Sequence, residues 1–133
     1  MAVQLSVAVR NARLDAIETT IGASAVLKIR TGAQPASVAT ADSGSVLATL
    51  TLPADWMSAA ASGVKALLGS WADASADATG TAAHFRIYAS DGTTAHMQGS
   101  VGVSASDMIV DSVSFTAGQG FSITSFSLTD GNA

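Results

Sequence analysis

His84 and His96 are the only imidazoles in a chain that has no cysteine. Any metal site or activated nucleophile would have to be built around them. Both lie on the polar side of an alternating pattern. Ala83, Phe85, Ile87 and Ala89 alternate with His84, Arg86 and Tyr88. After Asp91-Gly92, the apolar or small set Ala95, Met97, Gly99 and Val101 alternates with His96, Gln98 and Ser100. Two such runs around Asp-Gly predict a β-hairpin. A two-residue loop would set Ile87 opposite His96, mixing apolar and polar on one face. A three-residue loop or an equivalent bulge pairs Ile87 with Met97, Phe85 with Gly99 and Tyr88 with His96. His84 then faces Ser100, and about 13 Å of strand separates the two histidine rows. That distance excludes a shared metal. The expectation is two surface or interface histidines and no metal centre.

Other candidate chemistry is thin. Asp73 and Asp77 share a loop of small residues, without the alternating oxygens and distal Glu of a calcium loop. No Gly-x-Ser-x-Gly elbow supports a serine nucleophile. Gly118-Gln119-Gly120 lacks the third glycine of a dinucleotide fingerprint and precedes a strand pattern, so it reads as a turn. Trp56 and Trp71 adjoin apolar runs and are expected in the core, while Tyr88, on the polar face of the hairpin, is expected as a contact residue. The expectation is a protein that is not an enzyme and takes no cofactor.

The elements that position these residues follow from periodicity. Val7, Arg10, Leu14, Ile17 and Ile21 recur at three- and four-residue steps, which predicts a helix within residues 1–22. Ser6 suits its N-cap and Gly22 its C-terminal stop. Asp15 and Glu18 are expected on the opposite face. From residue 23 onward the period is two. Strands are expected over Ala25–Arg30, Val46–Leu52, Leu67–Trp71, the two arms of the hairpin, Met108 onward with Val113 and Phe115 near its end, and Phe121–Leu128. Residues 31–44, with Gly32, Pro35 and Gly44, read as a long loop or one containing a short edge piece. In the last strand Phe121 and Ile123 have one parity, Phe126 and Leu128 the other. A bulge near Thr124-Ser125 would bring all four to the core; the alternative is two successive faces that see different neighbours. The fold class is mainly β: a jelly-roll-like β-sandwich or barrel of about seven strands with one N-terminal α-helix, in a single domain of 133 residues.

Charged residues make up only 12% of the chain, about half the usual share. The surface must then be largely Ser, Thr, Ala and Gly, which lose little side-chain entropy when a partner covers them. A net charge of −4 argues against nucleic acid. The start of the chain does not read as a signal peptide, and no run of 18 apolar residues suggests a membrane span. Residues 1–30 carry Arg10, Arg13, Lys28 and Arg30 against Asp15 and Glu18, a mildly basic end on an acidic body.

Several segments carry a resemblance: Val9-Arg10-Asn11-Ala12-Arg13-Leu14-Asp15-Ala16-Ile17, Leu52-Pro53-Ala54-Asp55-Trp56-Met57, His84-Phe85-Arg86-Ile87-Tyr88, Asp91-Gly92-Thr93, His96-Met97-Gln98-Gly99 and the closing Phe126-Ser127-Leu128-Thr129. Together they resemble small virion proteins of tailed bacteriophages and prophages, among them the cement or decoration proteins of the capsid exterior. The resemblance implies a jelly-roll-like structural protein, made in the host cytoplasm and carried on the outer capsid surface. Its expected partners are the major capsid protein and itself, with a homodimer favoured and a trimer as the other option. Arg10, Arg13, Lys28, Arg30, Tyr88 and His96 are the expected partner-binding residues. The alternative is a tail or tail-fibre module that binds a glycan or receptor.

Overall fold

The computed structural model describes residues 3–131. One helix, α1 (Val7–Ile21), precedes ten strands: β1 (Val26–Arg30), β2 (Val46–Thr51), β3 (Val64–Ala66), β4 (Trp71–Asp73), β5 (Gly80–Thr81), β6 (His84–Tyr88), β7 (Ala95–Gly102), β8 (Met108–Val110), β9 (Ser114–Phe115) and β10 (Phe121–Thr129). The main sheet runs β2-β1-β6-β7-β8-β10-β3, with β4 also on β10. It curls into a half-barrel around the core, so the chain is mainly β with one N-terminal helix. Among the described residues, only the β7–β8 pairing is parallel. It is made by a short loop in which Asp107 accepts hydrogen bonds from the Ser100 amide and hydroxyl.

Period-two patterning explains most of the strands. In the hairpin, Ile87 pairs with Met97, Phe85 with Gly99 and His84 with Ser100. A shift between Ile87 and Tyr88 supplies the bulge, so Tyr88 pairs with Ala95 rather than with His96. The second expected bulge is also present. The β8–β10 register shifts between Ile123 and Ser125, and Phe121, Ile123 and Phe126 are all buried with Leu128 packed against them. The tryptophans sit in the core as expected. A chain of ring contacts runs Trp56–Trp71–Phe126–Phe85, with centroids 6.0, 5.6 and 5.5 Å apart. Such pairs add about 1 kcal/mol each beyond area burial.

Three local expectations are corrected. Leu67–Trp71 is not one strand: Gly69 turns there at φ +75°, separating β3 from β4. Phe115 leaves the β8 strand to pair with β5, Gly80 opposite Phe115. Helix α1 keeps its stop and start, with Ser6 Oγ accepting from the Val9 amide and the Gly22 amide donating to Glu18 O. Leu14 and Ile21 are buried, but Asp15 and Glu18 are not on the far side. Glu18 is four residues from Leu14, only about 40° around the helix. Both carboxylates therefore face the 56–66 segment.

Gly99 shows how tightly β6 and β7 pack. A Cβ there would lie 2.7 Å from Phe85 Cε1 and 2.9 Å from Asp107 Oδ2. Gly99→Ala is expected to lower unfolding free energy by about 1–3 kcal/mol, read from urea denaturation. An unchanged midpoint would show that Phe85 can step aside at no cost.

Candidate interaction surface

The polar face of the hairpin is not a surface. Every residue of β6 is buried, on both faces of the sheet. Segment 31–45 lies across the face bearing His84, Arg86 and Tyr88, and its groups bind theirs. Asp42 is the centre of this contact. It accepts from Tyr88 Oη at 2.8 Å, from Arg86 NH1 at 2.8 Å and from Arg30 NH2 at 2.9 Å. Arg86 NH2 also donates to Ser37 O, and Arg86 shares two further bonds with Gln98 Oε1. Gln98 donates onward to Pro35 O. Burial pushes the Asp42 carboxyl up, but the Tyr88 hydroxyl and the two guanidiniums outweigh it and hold it below the usual range. The Tyr88 phenol is pushed up by burial and by its bond to Asp42.

A second buried ion cluster joins α1 to the sheet. Lys65 is 3% exposed. Its Nζ donates to Asp15 Oδ1, Glu18 Oε2 and Ser58 O at 2.8–2.9 Å. The helix also satisfies backbone amides of the neighbouring segment. Glu18 accepts from Trp56 and Met57, Asp15 from Ala60, and Asn11 from Gly63. Residues 11, 15 and 18 make one stripe of the helix, so a single polar stripe serves as the missing strand for residues 56–63. Trp56 Nε1 closes the joint by donating to Gly22 O at the helix end. Burial raises the Glu18 carboxyl, yet the Lys65 and amide bonds hold it low. The bond from Lys65 keeps Asp15 low, with the Ala60 amide adding to it. Burial lowers the Lys65 ammonium, and its two carboxylates overcome that and raise it.

This geometry sorts the six residues expected to bind partners. Arg30 and Tyr88 are corrected: they are 7% and 0% exposed and belong to the Asp42 cluster, because a long loop covers what an alternating pattern reads as a free polar face. Lys28 is half-buried, donates to Gly92 O and lies 4.8 Å from the Tyr88 ring centroid. Arg10 donates to Asp130 O and sits against Gly63, so it clasps the C-terminal strand to the β3 segment. His84, expected at the surface, is 1% exposed and bound through Nδ1 to Gly32 O. Arg13 and His96 remain exposed.

Those two are brought together. They line one groove of about 300 Å³ with Ala16, Ile17, Thr20 and Ile21 of α1. The floor is apolar and the rim is cationic at Arg13, which also holds Asp130 Oδ2 at 3.2 Å. On the other flank of α1 lies a second groove of about 420 Å³, bordered by Asp15, Glu18, Asp55 and Lys65. It is acidic, because three carboxylates face one ammonium. Helix α1 thus presents one basic and one acidic flank. Among the described residues, no cluster of three His, Asp or Glu side chains has the geometry to hold a metal.

The directions of these shifts fix the sign of the acid response. Glu18 and Asp42 have carboxyls held below their ordinary 4.5 and 3.8, so each contributes stability that is present above those values and is lost as pH falls through the lower folded ones. Thermal midpoints between pH 4.5 and 3 should fall steeply for the natural chain and less steeply for Glu18→Gln. Lys65→Met is expected to cost about 3 kcal/mol at pH 7, since it leaves Glu18 largely buried without its cation. Urea denaturation checks that value.

No family model, no curated protein and no solved structure matches the chain.

Proposed function

We propose that this protein is a structural virion component of cement type, held on the outside of a phage head and bridging adjacent major capsid subunits. The observation that carries the reading is where the basic charge goes. Of six Lys and Arg residues, only Arg13 is well exposed. The others are spent inside, on fold-holding bonds. What remains outside is a weakly charged surface of small residues, with the Arg13–His96 groove as its one basic, apolar-floored feature along α1. A surface of that kind loses little entropy on being covered. Repeated on many subunits, contacts that are individually weak become effectively intramolecular once one has formed. The segments that resemble phage virion proteins are also the ones that build α1, β6, β7 and the end of β10.

The occupant of the groove in this reading is an acidic, partly apolar segment of the capsid subunit, chosen by charge complementarity to Arg13. Self-association through the opposite flank of α1 would complete a bridge between neighbours, with two-fold pairing favoured. The tail-module alternative loses its main support. All seven aromatic side chains are buried, including Tyr88, so no ring is presented for stacking on a sugar.

The test uses exposed positions. Arg13→Gln combined with Ala16→Glu should leave the circular dichroism melt within a few degrees of the natural chain, because the Arg13 side chain is 60% exposed and its ion pair with Asp130 is of small worth. Occupancy on particles, counted by cryo-EM, should fall at least tenfold. Normal occupancy would remove the groove as the anchor. A location away from the head would remove the cement reading itself.

A further inference from the structure

We propose that Arg30 and His84 together hold one buried water molecule beneath segment 31–45. Among the described residues, four buried side-chain nitrogens meet no protein group: Arg10 Nε, Arg30 Nε, Trp71 Nε1 and His84 Nε2. Two of them belong to neighbours. Arg30 of β1 lies directly opposite His84 of β6 in the antiparallel register. Side chains at opposed positions leave the sheet on the same face, with Cβ atoms about 5 Å apart. Arg10 and Trp71 belong to other elements, α1 and β4.

Neither member of the pair can turn to find a protein partner without losing the one it has. Arg30 NH2 donates to Asp42 Oδ2 at 2.9 Å, and His84 Nδ1 bonds to Gly32 O at 2.9 Å. Bulk solvent does not satisfy them, since the residues are 7% and 1% exposed. A buried polar atom without a partner is costly, and native proteins commonly satisfy such atoms with an internal water.

The two atoms select the ligand. Arg30 Nε–H can only donate. Gly32 O can only accept, so Nδ1 of His84 carries a proton and Nε2 is the atom left to meet the ligand. In a neutral ring Nε2 accepts, and in a charged ring it donates. Water serves in both cases. It accepts from Arg30 and either donates to Nε2 or accepts from it, so the site does not depend on the charge of the ring. An anion suits the charged ring alone, and a metal cation is repelled by the guanidinium.

The water joins two separate grips of the loop into one chain of bonds. That chain runs from Asp42 through Arg30, the water and His84 to Gly32, and so begins and ends on segment 31–45. It lies beside the neck, where Thr31 N donates to Ser45 O and Ser45 N to Thr31 Oγ1. Bonds linked in this way polarise and strengthen one another.

A high-resolution crystal structure of the full chain should show one ordered oxygen within hydrogen-bond reach of both Arg30 Nε and His84 Nε2. A dry contact, or a protein group meeting either nitrogen, would overturn the proposal. Crystals grown in bromide distinguish water from an anion, and an anomalous peak at that position would also overturn it. In solution, the Nε proton of Arg30 should give an NMR cross-peak to a long-lived water, and its absence in the natural chain counts against the bridge. His84→Phe keeps a ring but takes away Nε2, so the cross-peak should be lost. An undiminished cross-peak in folded His84→Phe shows a water held without the histidine and refutes the bridge. Should that variant fail to fold, the crystal structure and cross-peak of the natural chain decide.

Discussion

Strand β6 is buried on both faces, and only one of those faces is apolar. The rest of the structure accommodates that constraint. Phe85 and Ile87 meet the aromatic core, which any mainly β protein of this size provides. Arg86, Tyr88 and His84 point the other way, into a region the chain must both cover and satisfy. A buried guanidinium without partners is far costlier than a lost surface contact. Segment 31–45 supplies the cover and Asp42 supplies the charge. The Ser37 carbonyl takes a further Arg86 donor and the Pro35 carbonyl takes the Gln98 amide.

The same logic is repeated under helix α1. A curled sheet that does not close leaves backbone amides at its margin, and segment 56–63 is such a margin. Asn11, Asp15 and Glu18 accept those amides from one helical stripe, and Lys65 neutralises the two carboxylates. The helix is therefore bonded to the sheet by polar groups as much as by Leu14 and Ile21. Replacing any one partner strands the others, which makes these clusters costly to break, although their net worth over an apolar alternative is modest.

These two clusters also account for the surface. A chain with few charges has spent most of its cations internally, and its exterior is left with small residues and scattered carboxylates such as Asp55, Asp77 and Asp111. Two grooves, one basic and one acidic, lie on opposite flanks of α1, because the stripe between them is occupied with the sheet and the core.

Sequence periodicity alone determined the helix with its caps, most of the strands, the hairpin register at Ile87–Met97 and both bulges. Side-chain alternation and turn residues act locally, so a register that mixes faces can be rejected without coordinates. The burial of Trp56, Trp71 and the phenylalanines was legible for the same reason. What lay across the hairpin was not. Alternation separates two faces but does not say which is covered, and the cover here comes from a loop 44 to 49 residues away in sequence. Arg30, His84 and Tyr88 therefore look like contact residues in sequence and are interior groups in the fold. Asp42, the residue on which that interior depends, gave no signal, since a lone aspartate in a loop is ordinarily a solvated one. Glu18 was expected on the opposite face, although its four-residue step from Leu14 sets it near the buried stripe, where it meets Trp56, Met57 and Lys65. The meeting of Arg13 with His96 belongs to tertiary structure alone, because only the packing of α1 beside β7 sets residues so distant along the chain on the walls of one groove.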